Sequence, residues 1–65
     1  MFYPNHPIVL EVAPEERYRA LVWLMKNHPK LDCLVEDTED DGAQIRVAEQ
    51  DAAILEALAD MLDRP

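Results

Sequence analysis

Three side chains in this sequence, His6, His28 and Cys33, have the chemistry to ligate a transition metal or to act as acid, base or nucleophile. No pair of them repeats the close spacing of a zinc motif. The strand pattern described below turns Cys33 toward the core, where a thiol behaves as a small hydrophobe and is unreactive. With no serine anywhere and a single glycine, the parts for nucleophilic hydrolysis and for a phosphate-cradling loop are missing. The expectation is a non-enzymatic protein with no cofactor and no catalytic residue.

Carboxylates offer a different chemistry. The stretch Glu36-Asp37-Thr38-Glu39-Asp40-Asp41-Gly42 places five of them within six positions, and oxygen-rich clusters suit hard divalent cations. Asp37, Glu39, Asp41 and Gly42 match positions 1, 3, 5 and 6 of an EF-hand loop, but the closing glutamate would fall at Ala48. A specific metal site is therefore not expected. A solvated turn, with Glu39, Asp40 and Asp41 contributing to a negative surface that stands in for a phosphate backbone, is.

A second acidic series, Glu49, Glu56, Asp60 and Asp63, recurs at intervals of seven, four and three along the last helical segment. Glu56 and Asp60, at i and i+4, cost an isolated helix a few tenths of a kcal/mol. Asp60 and Asp63 also oppose the negative end of the helix dipole. Such a row is either the ordinary polar side of an exposed helix or a surface kept for a partner.

Trp23 is the candidate anchor. The spacing of Tyr18, Leu21, Val22 and Met25 is the stripe of a helix facing a core, and Trp23 lies about 150° from its centre on a helical wheel. That geometry predicts a tryptophan pointing away from the sheet, among Glu16, Arg19, Ala20 and Lys26. Tryptophan and arginine are enriched at binding hot spots, so Trp23 and Arg19 join the candidate partner-binding residues. The competing expectation is that Trp23 folds over the stems of Arg19 and Lys26 or packs on the last helix.

The elements that must hold these groups are legible. Residues 1–7, with Pro4 and Pro7, read as an extended arm. Ile8-Val9-Leu10-Glu11-Val12 alternates as a strand over residues 8–12. Pro14 suits the first position of a helix over residues 14–27, with Glu15 and Glu16 at its positive end. Asn27 could adopt a left-handed cap, and Pro29 pushes His28 out of helical geometry. Strands are expected over residues 31–36 and 43–48, joined through Asp41-Gly42 as an antiparallel hairpin. A helix over residues 49–62 follows, with Ile54, Leu58, Met61 and Leu62 inward and Leu55 beside them.

Together these give an α+β fold: a two-layer β-α-β-β-α domain, 1–65, with a three-stranded sheet and two helices on one face. Whether the third strand lies between the others or at the edge is open. On the face away from the helices, Val9 and Leu34 share space with Glu11, Asp32, Gln44 and Arg46, awaiting cover by the arm carrying Phe2 and Tyr3 or by a second copy. An unpaired edge strand offers another route to a homodimer.

The chain has 65 residues, and a folded domain of that size buries only about 60% of the surface its unfolded form exposes. One cysteine excludes an internal disulfide, leaving oligomerisation as the usual supplement. At 49% hydrophobic residues the composition is that of a packed domain. No apolar run approaches the ~20 residues of a membrane span, and Met1-Phe2-Tyr3-Pro4 does not read as a secretion signal, so a cytoplasmic location is expected.

Fourteen acidic against six basic side chains give a formal net charge of −8. Direct binding to nucleic acid or anionic lipid needs a basic footprint. The expected partner is a protein with a basic surface, bound as small inhibitors and DNA mimics bind theirs. The alternative is a homodimeric structural or regulatory subunit whose acidity serves only solubility. In the order of its elements, ending in an acidic helix, the chain resembles the DinI-type inhibitors of the bacterial recombinase filament. That resemblance illustrates the first expectation and implies no residue roles.

Overall fold

The computed structural model describes residues 3–64; Met1, Pro65 and Phe2, the last proposed as part of a covering arm, lie outside the described residues. Alternating apolar residues make β1 over Ile8–Val12. A single 3-10 turn at Pro14–Glu16 leads into α1, Arg17–Asn27; β2 is Cys33–Asp37 and β3 is Ala43–Val47. A second 3-10 turn, Glu49–Asp51, opens α2, Ala52–Leu62. Both expected helices thus begin with a tight turn rather than a side-chain cap. The Glu16 N–H donates to the Ala13 carbonyl at 3.0 Å, and the Asp51 N–H to that of Ala48 at 2.9 Å. This tightening satisfies donors that a helix start leaves free.

The sheet order is β1-β3-β2 and both pairings are antiparallel, so the third strand lies in the middle. Its residues explain the choice: Ala43, Ile45 and Val47 are all fully buried, as befits the strand with neighbours on both sides. The register aligns Ile8, Val47 and Cys33, then Leu10, Ile45 and Val35, on the face toward the helices. Both helices cover that face, and Val12, Ala20, Leu24, Ala43, Ile45, Val47, Leu55 and Leu58 form one core. No described helix is long and apolar enough to cross a membrane.

The phase of α1 differs from the expectation. Ala20 and Leu24 are buried, with Leu21 and Trp23 packed against the core, while Tyr18 and Met25 are 80% and 73% exposed. Every residue from Ala20 to Met25 is apolar, so two stripes compete and periodicity alone does not choose between them. The stripe with the small Ala20 wins, because a methyl side chain lets the helix approach its neighbours closely. Asn27 also remains helical rather than left-handed; its Nδ2 donates to the Trp23 carbonyl at 2.9 Å, and the chain leaves the helix at His28, φ −139°.

The arm is not extended throughout. It turns at Pro4-Asn5, where the His6 N–H reaches the Tyr3 carbonyl at 3.3 Å. Tyr3 then lies on the outer sheet face: its hydroxyl donates to Glu36 Oε1 at 2.6 Å, and the Arg46 guanidinium sits 3.9 Å from its ring centroid. Arg46 Nε reaches the same Glu36 oxygen at 3.3 Å. His6 Nε2 stands 3.2 Å from Asp32 Oδ2 without the alignment of a hydrogen bond. The arm therefore clasps the middle of the face that Val9 and Leu34 flank.

Candidate functional site

The carboxylates gather at one end of the sheet because three chain segments finish there. Register places Glu11 of β1, Gln44 of β3 and Glu36 of β2 side by side on the outer face, one step before Val12, Ala43 and Asp37 end the ladder. Gln44 Nε2 donates to Glu11 Oε2 at 3.4 Å. The loop 38–42 continues from this end and carries Glu39, Asp40 and Asp41, all exposed.

Its conformation follows from its own polar groups. The Thr38 N–H donates to the Gly42 carbonyl at 3.1 Å, and the Asp41 N–H to the Thr38 carbonyl at 3.2 Å. Asp40 Oδ1 accepts from the Thr38 hydroxyl and from the Gly42 N–H at 3.3 Å. Those bonds favour the ionised carboxylate and hold the Asp40 pKa below its ordinary value, the Thr38 hydroxyl contributing most. Asp41 takes φ 69°, a left-handed value that aspartate tolerates. Gly42 is required by close approach: a Cβ there would stand 2.5 Å from the Val12 carbonyl oxygen.

Between loop and sheet opens a cleft of about 520 Å³ lined by Glu11, Asp37, Thr38, Glu39, Asp40 and Gln44. Glu11 also borders a second, smaller cleft, shared with Leu10, Glu16, Ala59, Leu62 and Asp63. The two clefts make one acidic belt from the loop, across Glu11, to Glu16 and the end of α2. Arg17 is the basic group set against it, paired with Asp37 and reaching the Asp41 carbonyl at 3.5 Å.

The belt includes Glu39, Asp40 and Asp63 of the expected residues, and Asp41 beside them. It leaves out Glu49, which follows Val47 at the opposite end of β3, and Glu56, in the middle of α2. Asp60 is exposed but held by Arg64 at 2.8 Å, an i, i+4 ion pair. Glu11 and Glu16 are the members that reading along the chain missed, while Asp37 belongs to the acidic stretch the sequence marked. Only the strand register brings Glu11 beside the loop, and no linear spacing signals it.

Trp23 does not stand away from the fold. It is half-buried, packs against the core, and its ring lies 5.4 Å from that of His28, tilted by 53°. It walls a groove of about 260 Å³ between the helices, with Tyr18, Arg19, Val22, Lys26, Asn27 and Met61. Arg19 donates to the carbonyls of Met61 and Arg64, each at 3.4 Å, and so closes the C-terminal end of α2. Both residues thus hold the helices together, apart from the acidic belt.

Among the described residues no three His, Cys, Asp or Glu side chains converge to hold a metal ion. Cys33 is free and half-buried, and burial, followed by the neighbouring Asp32 charge, raises its thiol pKa. No protein-family model, curated protein or solved structure matches the chain, so its likeness in element order to the filament inhibitors assigns no residue.

Proposed function

We propose that this chain is a non-enzymatic docking module whose acidic belt binds the basic surface of a nucleic-acid-handling protein and blocks it, as a duplex mimic does. The observation that carries the reading is the continuity of the belt: carboxylates from β1, the start of α1, the loop and α2 line two adjoining clefts through the shared Glu11. Spaced negative charges on a rigid scaffold are what a surface built for phosphates recognises. The fixed conformation of the loop supports it further, since Asp40 is spent on holding the turn while Glu39 projects freely. A cytoplasmic setting accords with the reading, because a reducing compartment keeps the lone Cys33 thiol free.

The test is displacement of a fluorescent DNA duplex from a panel of basic DNA-binding proteins, titrated with the chain at two salt concentrations. Wild type should displace duplex from at least one member, with the effect weakening steeply as salt shortens the Debye length from about 10 Å at 0.1 M. The variant Glu11→Gln, Glu16→Gln, Glu39→Gln, Asp63→Asn should fold and lose the effect by at least about ten-fold, or 1.4 kcal/mol. Displacement that neither salt nor this variant alters would exclude the belt as the binding surface.

A further inference from the structure

The helix layer carries unpartnered residues on its side away from the sheet. On a helix of about 100° per residue, Val22 lies about 180° from the midpoint of the buried Ala20 and Leu24. Tyr18 and Met25 flank it on one side, and Arg19 and Lys26 on the other, all four exposed. The same construction on α2 places Ala53, Glu56, Ala57 and Asp60, at i, i+3, i+4 and i+7, opposite the buried Leu55 and Leu58; these four are exposed as well. One outward surface is thus divided into a ridge of large apolar side chains edged by cations on α1, and small side chains edged by carboxylates on α2. The other side of the sheet differs, since the clasp of Tyr3 and Arg46 already covers its middle.

Charge selects the occupant. From Arg17 to Leu31 the chain holds no acid, so an acidic partner laid across both helices would suit α1 and be repelled by α2, and a basic partner the reverse. A surface with the same two halves suits both, and this chain carries one. We infer that two copies associate through their helix layers, α1 of each lying over α2 of the other about a two-fold axis parallel to the helices.

Geometry supplies the register. Arg19, in the first turn of α1, reaches the carbonyls of Met61 and Arg64 at the end of α2, and β1 and β3, which lead into the two helices, are antiparallel. The helices therefore run in opposite directions. At about 1.5 Å per residue, the step from Arg19 to Lys26 on α1 matches the step from the end of α2 back to Glu56. A two-fold axis parallel to the helices keeps those levels, so it sets Lys26 against Glu56 of the copy and Arg19 near its Asp60, each twice. Met25 falls over the shallow seat of Ala53 and Ala57. The other two-fold, across the helices, would set α1 on α1 with Arg19 against Lys26 and lay one acidic row on another, which like charges penalise. Asp60 is already paired with Arg64 within the chain, whereas Lys26 and Glu56 make no ion pair among the described residues. The register therefore turns on these two. Neither belongs to the acidic belt, so this seam and the docking reading stand or fall separately.

Sedimentation equilibrium over a concentration series at low salt tests it. Wild type should reach twice the chain mass. Lys26→Glu and Glu56→Lys, at exposed positions, should each raise the dimer dissociation constant about ten-fold or more, because each opposes like charges at both symmetric contacts; circular dichroism checks that both variants fold. An equimolar mixture of the two variants should recover the wild-type affinity, since the mixed pair has opposite charges at both contacts. Val9→Lys, on the other side of the sheet, should change nothing. A chain that stays monomeric, a dimer that neither charge reversal weakens, a mixture no tighter than its components, or a dimer broken by Val9→Lys would each overturn the inference.

Discussion

The phenol of Tyr3 donates to Glu36 while its ring receives Arg46, so one side chain fastens the arm to the outer face of two strands. The hydrogen bond to Glu36, then burial and the Glu36 charge, raise the phenol pKa above 10.0. A phenolate cannot donate, and a group whose folded pKa is raised stabilises fully below its unfolded value and loses that contribution as pH rises through the folded one. Stability should therefore fall with rising pH in a window that opens near pH 10, and Tyr3→Phe should be less stable than wild type at neutral pH yet decline less steeply there. Urea melts at neutral and alkaline pH check both. The sequence revealed the arm and suggested its aromatic cover, but not this triad, because the meeting of Tyr3, Glu36 and Arg46 depends on a turn at Pro4-Asn5 and on the β2–β3 register.

Helix α1 was legible in its limits and misleading in its phase. Pro14 and Pro29 bound it, whereas six successive apolar residues, Ala20 to Met25, conceal which side is buried. The exposed crest of Tyr18 and Met25 is half of the stripe that spacing nominated for the core, and Trp23, left open between a solvent-facing anchor and packing on the last helix, closes the space against Met61. Trp23→Ala should therefore cost about 2 kcal/mol, less than the ~3–5 of a fully buried aromatic. Tyr18→Ser should change stability by no more than about 0.5 kcal/mol. Chemical denaturation of the two variants separates these outcomes. The strands were read more securely because alternation with period two has no competing phase, so Ile8, Leu10 and Val12 meet Val47, Ile45 and Ala43 as the pattern required. Strand order was hidden, since a hairpin constrains β2 and β3 but not the side on which β1 joins.

Across the whole molecule the charge is divided. Arg17, Arg19, Lys26 and Lys30, four of the six basic residues, fall in a stretch without a single acid, while carboxylates crowd the loop end of the sheet. The net charge of −8 was evident from composition, but its gathering into one belt was not, because the belt joins residues from four separate segments. Crowded like charges repel within the fold as well as attract a partner. Added monovalent salt should therefore raise the thermal midpoint at fixed protein concentration; a gain of about 1 kcal/mol corresponds to roughly 4–8 °C for a domain of this size. Thermal melts at low and high salt measure it, and a midpoint that falls would show that the ion pairs of Arg17, Arg46 and Arg64 outweigh the repulsion.

The close approach of Gly42 to the Val12 carbonyl separates two roles within five residues. The base of the loop is sterically committed, its glycine pressed against a neighbouring strand and its Thr38 and Asp40 occupied with holding the bend. Glu39, at the tip, is exposed along the cleft and takes no part in holding the bend. Recognition can therefore drift at the tip while the architecture beneath it stays the same. Substitution, not insertion, is the change the loop admits: a new side chain at residue 39 leaves intact the Thr38–Asp40 spacing on which the turn's bonds depend.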